Sequence, residues 1–163
     1  AYGLVRAREA GISSLFIDPA EFASDEEYEN ELLAVLEEKK VELVALAGFM
    51  RLLSPYFLQN FSGKAMNINP SLLPSFRSLH DKKQAIDYGV KVSGCTVHFV
   101  DEGMDTGPII LQESVPVYDN DDEDSLAQRI LEKEHKIYPE AIKLFAEGKL
   151  KLEGRRVIRE FDD

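Results

Sequence analysis

Apolar and polar positions along the chain follow two periods in turn, which predicts that helices alternate with buried strands. Residues 24–40 place apolar side chains on one helical face, and Ser24 with Glu27 has the spacing of a capping box. Residues 41–47 are a nearly continuous apolar run that ends at Gly48. Such a run is typical of a strand that is buried on both faces of a parallel sheet.

The rest of the chain continues this alternation. The other predicted helices are the end of one at residues 4–11, one that starts at Ser54, one at 79–88, and one at 124–147 that Pro139 kinks. The other predicted strands lie at 14–17, 64–69, 94–100 and 108–117, and a hairpin is predicted at 150–158. We therefore expect an α/β fold with an open, Rossmann-like, mostly parallel sheet and helices on both faces. Ligands of such sheets bind beyond the carboxyl ends of the strands, here residues 48–53, 67–74 and 101–107.

Composition favours a single soluble domain that spans residues 1–163. With 44% hydrophobic and 30% charged residues, a chain of 163 residues can bury one sizeable core but hardly two. The single cysteine, Cys95, excludes an internal disulfide framework. No apolar run approaches the roughly 18 residues that span a bilayer. We expect a cytoplasmic protein, a monomer or homodimer, with no membrane partner.

The net charge and the histidines argue against two classes of function. A net charge of -11 repels nucleic acid phosphates and no basic stripe offsets it, so we expect no DNA or RNA partner. His80, His98 and His135 are far apart and lack an HExxH pattern, and the acidic loops lack the ligand spacing of an EF-hand. We therefore expect no metal site.

Polar residues stand where two predicted strands end. Asn67 and Asn69 are two positions apart, so an extended strand turns both amides to one side, and Pro70 ends the strand directly afterwards. The amides either point into one crevice or cap the turn that follows. Asp105 is either a solvated residue of a glycine-rich acidic loop or part of the same site. We expect His98 to be a hydrogen-bonded histidine of the core or of the crevice.

Four long motifs occur together, in order and in register, over essentially the whole chain. They are AGFMRLLSP at 47–55, MNINPSLLPSF at 66–76, GCTVHFVDEGMDTGPIILQ at 94–112 and EHKIYPEAI at 134–142. With these motifs the chain resembles the glycinamide ribonucleotide formyltransferase family. The resemblance implies a formyltransferase fold that moves a formyl group from 10-formyltetrahydrofolate to the amine of glycinamide ribonucleotide, in purine biosynthesis.

The resemblance also implies site residues. Asn67 resembles the amide that holds the formyl oxygen as it becomes an oxyanion, and Asp105 the carboxylate that orients and polarises a catalytic partner. Together with Asn69 they are the expected catalytic set. The implied folate-binding residues are Met50, Arg51, Leu52, Leu53, Asn67, Val100, Asp101, Glu102, Gly103, Met104 and Asp105. The implied residues that grip the amine substrate are Leu131, Glu132, Lys133 and Glu134.

The sequence departs from the family pattern at Asn69, where the family has histidine. An amide donates hydrogen bonds but does not titrate near neutral pH, and losing a general acid commonly costs about 10²- to 10⁴-fold in rate. We therefore expect impaired transfer, with Asp105 and water as the remaining proton path. Smaller departures are Ser78 in place of glycine and Asp25 in place of a basic residue.

The family's first strand and its Gly/Ser/Asn-rich phosphate loop have no counterpart at the start of this sequence. Because that strand is central in the fold, its loss would leave unpaired strand edges inside the sheet. We expect an N-terminally incomplete formyltransferase domain of poor stability.

Other functions fit the same residues. Formyltetrahydrofolate deformylase is a hydrolase with a similar site, and methionyl-tRNA formyltransferase shares the fold, although the acidic charge argues against tRNA. A non-catalytic folate-binding module would keep the pterin-binding segments while lacking the proton carrier and the phosphate loop. Binding of a folate analogue without turnover of either substrate would favour that last alternative.

Overall fold

The computed structural model describes residues 2–76 and 81–160. They form two compact units, one up to Val41 and one from Glu42 onward. The first unit contains helix α1 (Tyr2–Glu9), a 3-10 turn (Pro19–Glu21) and helix α2 (Asp25–Glu38). The predicted N-cap of α2 is confirmed, because the Ser24 hydroxyl accepts the Glu27 N–H at 3.2 Å. The reciprocal bond of the predicted capping box is shifted by one residue, since the Glu27 carboxylate accepts the N–H of Ala23 at 3.0 Å.

Residues 14–17 do not form the predicted strand. Their backbone has no strand assignment, and Leu15 and Phe16 are 62% and 69% exposed. A short apolar run becomes a strand only when a neighbouring backbone completes a hydrogen-bonded ladder with it. Within the described part of the first unit, no other strand is present to do so.

The second unit contains the sheet and the remaining helices. In chain order they are β1 (Leu43–Leu46), α3 (Pro55–Asn60), β2 (Lys64–Asn69), α4 (Asp81–Tyr88), β3 (Val92–Phe99), β4 (Ile109–Pro116), α5 (Glu123–Ala146), β5 (Leu150–Glu153) and β6 (Arg156–Arg159). The predicted start of the α4 helix, the departure at Ser78 and the histidine His80 lie outside the described residues. In the two described ranges, no helix is both long and apolar enough to cross a membrane.

The main sheet has the order β1-β2-β3-β4, and β5 and β6 form a separate two-stranded sheet. The α/β class is confirmed, but the described main sheet is mixed and not mostly parallel as the alternation predicted. Strands β1 and β2 are parallel, whereas the pairs β2-β3 and β3-β4 are antiparallel. The short loop between β3 and β4 is the reason for the last pair, since a parallel neighbour would need a crossover of a dozen residues or more.

The two faces of this sheet differ in chemistry. One face carries Cys95, Val97 and Phe99 and belongs to the main apolar core, to which α5 contributes the fully buried Leu126 and Ile130. On the other face the antiparallel register sets Asn67 opposite His98 and Asn69 opposite Thr96. Cross-strand partners point to the same side of a sheet. We call this second surface, defined by Asn67, Asn69, Thr96 and His98, the polar face.

Candidate active site

Asn69 and Asp105 are joined by a direct hydrogen bond at the carboxyl end of β2. The Asn69 Nδ2 group donates to Asp105 Oδ2 at 2.7 Å, and the Ser71 hydroxyl donates to Asn69 Oδ1 at 2.8 Å. The two contacts fix which end of the amide faces the carboxylate. Asn69 therefore orients Asp105 and also takes part in the turn after the strand, so the two alternatives weighed from the sequence coexist. As an amide, it cannot exchange a proton with Asp105 near neutral pH.

The loop between β3 and β4 holds Asp105 by a set of internal contacts. The Asp101 carboxylate accepts the Gly103 N–H at 3.1 Å and the Thr106 hydroxyl at 2.6 Å. Arg155, at the tip of the β5-β6 hairpin, donates to the Thr106 carbonyl at 2.5 Å. Asp105 itself has a φ of 52°, in the left-handed region that non-glycine residues rarely adopt. The loop thus constrains the backbone at the residue whose carboxylate faces the sheet.

His98 lies on the polar face beside the same carboxylate. Its side chain is only 2% exposed, and its Nδ1 atom is 2.8 Å from the carbonyl of Phe99. Its Nε2 atom is 3.5 Å from Asp105 Oδ1. The sequence pattern assigned His98 to the core or the crevice and gave it no role. The signal that it belongs to the site is the β2-β3 register, which local periodicity does not reveal.

Asn67 stands next to His98 across the two strands. It is partly buried on the polar face, two residues before Asn69. The expectation that both amides project from one side of the strand is confirmed. Asn67 thus offers an amide donor close to the Asn69 and Asp105 pair, which is the arrangement that an oxyanion requires.

A buried hydroxyl anchors the turn that follows Asn69. Thr96 Oγ1 donates to the Ser71 carbonyl at 2.7 Å and accepts the Leu73 N–H at 3.0 Å. Gln112, on β4, donates to the same hydroxyl and to the Leu73 carbonyl, each at 3.0 Å. The Ser71 carbonyl and both backbone groups of Leu73 are therefore hydrogen-bonded to side chains of β3 and β4, which fixes the exit of β2 against these strands.

The predicted folate-binding residues are distributed unevenly between surface and core. Met50, Leu52 and Met104 expose 75%, 66% and 55% of their surface, whereas Leu53 is buried. The Glu102 carboxylate accepts a hydrogen bond from Gln59 at 3.2 Å. Exposed apolar side chains of this kind are available to contact an apolar ligand, whereas Leu53 is part of the protein interior. Their role in folate binding stays a prediction.

The predicted substrate-gripping turn lies on α5. Glu134 is half-buried, and burial raises its pKa against the opposing influence of Lys82. It also acts electrostatically on Cys95, a residue of the α5-covered face of the sheet. Leu131 is 45% exposed, Glu132 is exposed, and Lys133 Nζ lies 3.6 Å from a carboxylate oxygen of Glu113 on β4. The described contacts do not join this turn to Asp105, and its role stays a prediction.

Comparison with known proteins decides the family. The model of the family described as formyl transferase matches residues 1–142. The chain belongs to the formyl transferase family. Phosphoribosylglycinamide formyltransferase of Escherichia coli strain K12 is 45% identical over 152 residues, which are 93% of this chain and 72% of that protein. The trifunctional purine biosynthetic protein adenosine-3 of Drosophila melanogaster is 53% identical over 146 residues, 90% of this chain. The chain spans only 11% of that longer relative.

Solved structures agree with this membership. The crystal structure of glycinamide ribonucleotide transformylase 1 from Symbiobacterium toebii is 53% identical, has a TM-score of 0.93, and is matched by 99% of this chain over 76% of its own length. Phosphoribosylglycinamide formyltransferase from Anaplasma phagocytophilum is 43% identical, with a TM-score of 0.90, over 100% of this chain and 78% of that one. The family and the α/β formyltransferase fold predicted from the motifs are confirmed.

The described residues give no support for a metal site or for a nucleophilic cysteine. Among residues 2–76 and 81–160, no three histidine, cysteine, aspartate or glutamate side chains are grouped as metal ligands would be. Burial raises the pKa of the Cys95 thiol to about 12, with a smaller contribution from Glu134. A thiol with so high a pKa is not a nucleophile at neutral pH, because the thiolate is the reactive form.

Proposed function

We propose that this chain is a formyltransferase that moves a formyl group from 10-formyltetrahydrofolate to the amine of glycinamide ribonucleotide, in the cytoplasm and in purine biosynthesis. The observation that carries the proposal is the hydrogen bond between Asn69 and Asp105 on the same face as Asn67. It supports a site with an amide donor and a carboxylate held in register. The names of the similar proteins support the choice of substrates.

The chemistry assigns a task to each of these side chains. Attack of the amine on the formyl carbon forms a tetrahedral intermediate with a negative oxygen and a positive nitrogen. We propose that Asn67 donates a hydrogen bond to that oxygen, a contribution of about 3 kcal/mol in comparable sites. Asp105, which Asn69 holds at the end of β2, is the proposed acceptor of the proton that the attacking nitrogen must lose.

Asn69 makes this reaction slower than the site would otherwise allow. Its amide holds Asp105 at 2.7 Å, so the carboxylate keeps its orientation. The amide nevertheless cannot take up or release a proton, so Asp105 and water must carry the transfer. We propose that transfer in this chain is impaired for this reason, while binding of the folate is retained.

The ligand-contacting segments are proposed on the same basis. The pterin is held by Met50, Arg51, Leu52, Leu53, Val100, Asp101, Glu102, Gly103 and Met104, and the amine substrate by Leu131, Glu132, Lys133 and Glu134. Apolar exposure at Met50 and Leu52 supports the first group. The raised pKa of Glu134 supports the second, since carboxylates with raised pKa values are enriched in functional sites.

The test is a transfer assay on the whole chain with both substrates. We expect slow formylation of glycinamide ribonucleotide, and loss of at least about a further 10²-fold in kcat in Asp105→Asn. Asp119→Asn is the matched control, because Asp119 is an exposed acid that pairs only with Lys91 among the described residues. Absence of both turnover and folate binding in the folded protein would refute the proposed function.

Two outcomes separate the competing functions. Release of formate from 10-formyltetrahydrofolate without formylated product would favour a deformylase-like hydrolase. Folate binding without release of formate and without formylated product would favour a non-catalytic folate-binding module. Of the two alternatives, the amide of Asn69 favours this one, because an amide cannot carry a proton. Both assays use the same protein and folate, so a single preparation distinguishes them.

A further inference from the structure

Among the described residues, one buried side-chain nitrogen or oxygen atom lacks a hydrogen-bond partner, and it is His98 Nε2. This atom faces Asp105, at 3.5 Å from Oδ1. We propose that His98 and Asp105 share one proton, and that this pair supplies the titratable group that Asn69 does not. The inference rests on the proposed function, because it concerns the proton that formyl transfer must move.

The orientation of the imidazole ring follows from its other nitrogen. His98 Nδ1 lies 2.8 Å from the Phe99 carbonyl oxygen, which can only accept, so Nδ1 must carry a hydrogen. In the neutral ring, Nε2 then carries none and presents a lone pair to the Asp105 carboxylate. Two acceptors that face each other across 3.5 Å are unfavourable unless a proton lies between them. The geometry therefore favours one shared proton, on Nε2 or on the carboxylate.

Among the described residues, the charged side chain in contact with His98 is Asp105. Its cross-strand partner on β2 is Asn67 and its partner on β4 is Ile109, both uncharged. The charged residues of α5 act at the opposite face of the sheet, where Lys133 and Lys136 approach Glu113. The loop before β4 contributes Asp105 and also Asp101, whose carboxylate accepts from Gly103 and Thr106, while Arg155 donates to the Thr106 carbonyl. The ring and the carboxylate thus face each other on the polar face, while the contacts of the neighbouring loop charges are made within the loop and the β5-β6 hairpin.

The second oxygen of the carboxylate is held by the other neighbour. Asp105 Oδ2 accepts the Asn69 amide at 2.7 Å, while Oδ1 faces His98. Asn69 thus occupies one oxygen without titrating, and His98 offers a titratable nitrogen at the other. A histidine is the side chain whose ordinary titration range suits proton exchange near neutral pH.

The proton balance of transfer closes with this pair. As the amine nitrogen bonds to the formyl carbon, the carbonyl electron pair moves to oxygen and the nitrogen becomes positive. That nitrogen gives a proton to the Asp105 carboxylate, so the pair then holds two protons, one on the carboxylate and the shared one on His98 Nε2. When the oxyanion collapses and the bond from carbon to the folate nitrogen breaks, the pair returns the proton to that nitrogen. No other reactant is consumed.

His98 acts through Asp105 and does not reach the substrates. With 2% of its surface exposed, the ring is a positioning residue for the carboxylate. A purely structural role would predict a loss of stability when His98 is changed, with no effect on the ionisations seen in the rate. The pH dependence of kcat separates the two roles, because only the shared proton links the ring to the reaction.

The first experiment needs no turnover. Long-range nitrogen-proton NMR of the full chain reports the state of each imidazole nitrogen, with exposed His135 as an internal reference and His98→Asn for assignment. We expect a proton on His98 Nε2 at neutral pH, and a protonated fraction that falls about threefold or more in Asp105→Asn, as loss of an adjacent carboxylate requires. An unchanged fraction in that variant would overturn the shared proton.

The second experiment measures the pH dependence of kcat in the wild type and in His98→Asn. Asparagine retains a donor for the Phe99 carbonyl and removes only the nitrogen that faces Asp105. We expect an ionisation in the wild-type kcat profile that is absent from the variant, with KM values for both substrates changed less than about twofold. An identical profile would overturn the inference. Because the NMR result does not depend on turnover, a folded chain with neither turnover nor folate binding would refute the proposed function and leave the pair testable.

Discussion

The side-chain amide of Asn69 holds the carboxylate of Asp105 at 2.7 Å, across a separation of 36 residues. The contact joins the end of β2 to the loop between β3 and β4, so the position of the carboxylate depends on how three strands and one loop are fixed. Thr96 and Gly107 support this contact from the strands and the loop, and Asn69 determines its chemistry.

Replacing Thr96 with valine removes the hydroxyl that anchors the turn after β2 and keeps its shape. The Ser71 carbonyl, the Leu73 N–H and one Gln112 donor then lose a buried partner. We expect a loss of about 3 kcal/mol in the free energy of unfolding, measured by denaturant titration. Ser114→Ala, at an exposed serine on β4, should stay within about 0.5 kcal/mol of the wild type. A loss in Thr96→Val no larger than in that control would contradict the role of the hydroxyl.

Gly107 ends the loop that carries Asp105, and its place requires the absence of a side chain. A Cβ atom there would lie 1.7 Å from the backbone carbonyl oxygen of Phe99, so the loop or the strand would have to move. We expect Gly107→Ala to destabilise the protein by about 3 kcal/mol and to lower kcat.

Gly89→Ala separates this clash from ordinary backbone strain. Gly89 has a positive φ of 80° and nothing within 4 Å of an added Cβ, so alanine there carries strain alone, about 1 kcal/mol. Denaturant titration of the two variants should rank Gly107→Ala as the more damaging. Equal losses would mean that the loop accommodates the methyl group.

Glu134 should make stability depend on pH in a defined direction. Burial raises its pKa above the ordinary value of 4.5, so the folded protein holds this proton more tightly than the unfolded chain does. The carboxylate therefore lowers the free energy of unfolding as pH rises above that ordinary value, and this loss of stability is absent well below it. We expect Glu134→Gln to raise the free energy of unfolding at neutral pH, with a gain that vanishes at acidic pH.

The same variant tests the proposed role of Glu134 in substrate binding. If the carboxylate grips the amine substrate, Glu134→Gln should gain stability while the KM for glycinamide ribonucleotide rises, a trade-off seen at functional sites. Glu140→Gln, an exposed position on the same helix, is the control for both measurements. A stabilised variant with unchanged KM would remove Glu134 from the binding site.

Local patterns were sufficient to predict most elements of this fold. Strand β2 was predicted at its observed bounds because Pro70 breaks it, and α5 was predicted because its apolar stripe persists for six turns. The direction of the strands was not predictable from the pattern of β2 and β3 themselves, since an apolar run is the same in a parallel and in an antiparallel pair. The strand at 14–17 failed for a related reason, because pairing depends on residues elsewhere in the chain.

The candidate site could be predicted only in part, because some of its contacts depend on how distant strands pair. Asn67, Asn69 and Asp105 were found through their motifs, and the contact between Asn69 and Asp105 agrees with that grouping. His98 was not found, because its proximity to Asp105 arises from strand register and from a loop that folds back. A histidine between two apolar residues of a strand gives no local sign of such a partner.

We propose that Asn69 orients Asp105 but does not supply a proton carrier that acts directly on the substrates. Asn69→His tests it most directly, with Asn60→His at the exposed end of α3 as the control. In a steady-state assay with 10-formyltetrahydrofolate and glycinamide ribonucleotide, we predict that Asn69→His raises kcat at least about tenfold, because a general acid-base group contributes 10² or more in comparable sites. Asn60→His should leave kcat unchanged. An unchanged or lower kcat in a folded Asn69→His protein that still binds folate would contradict the claim.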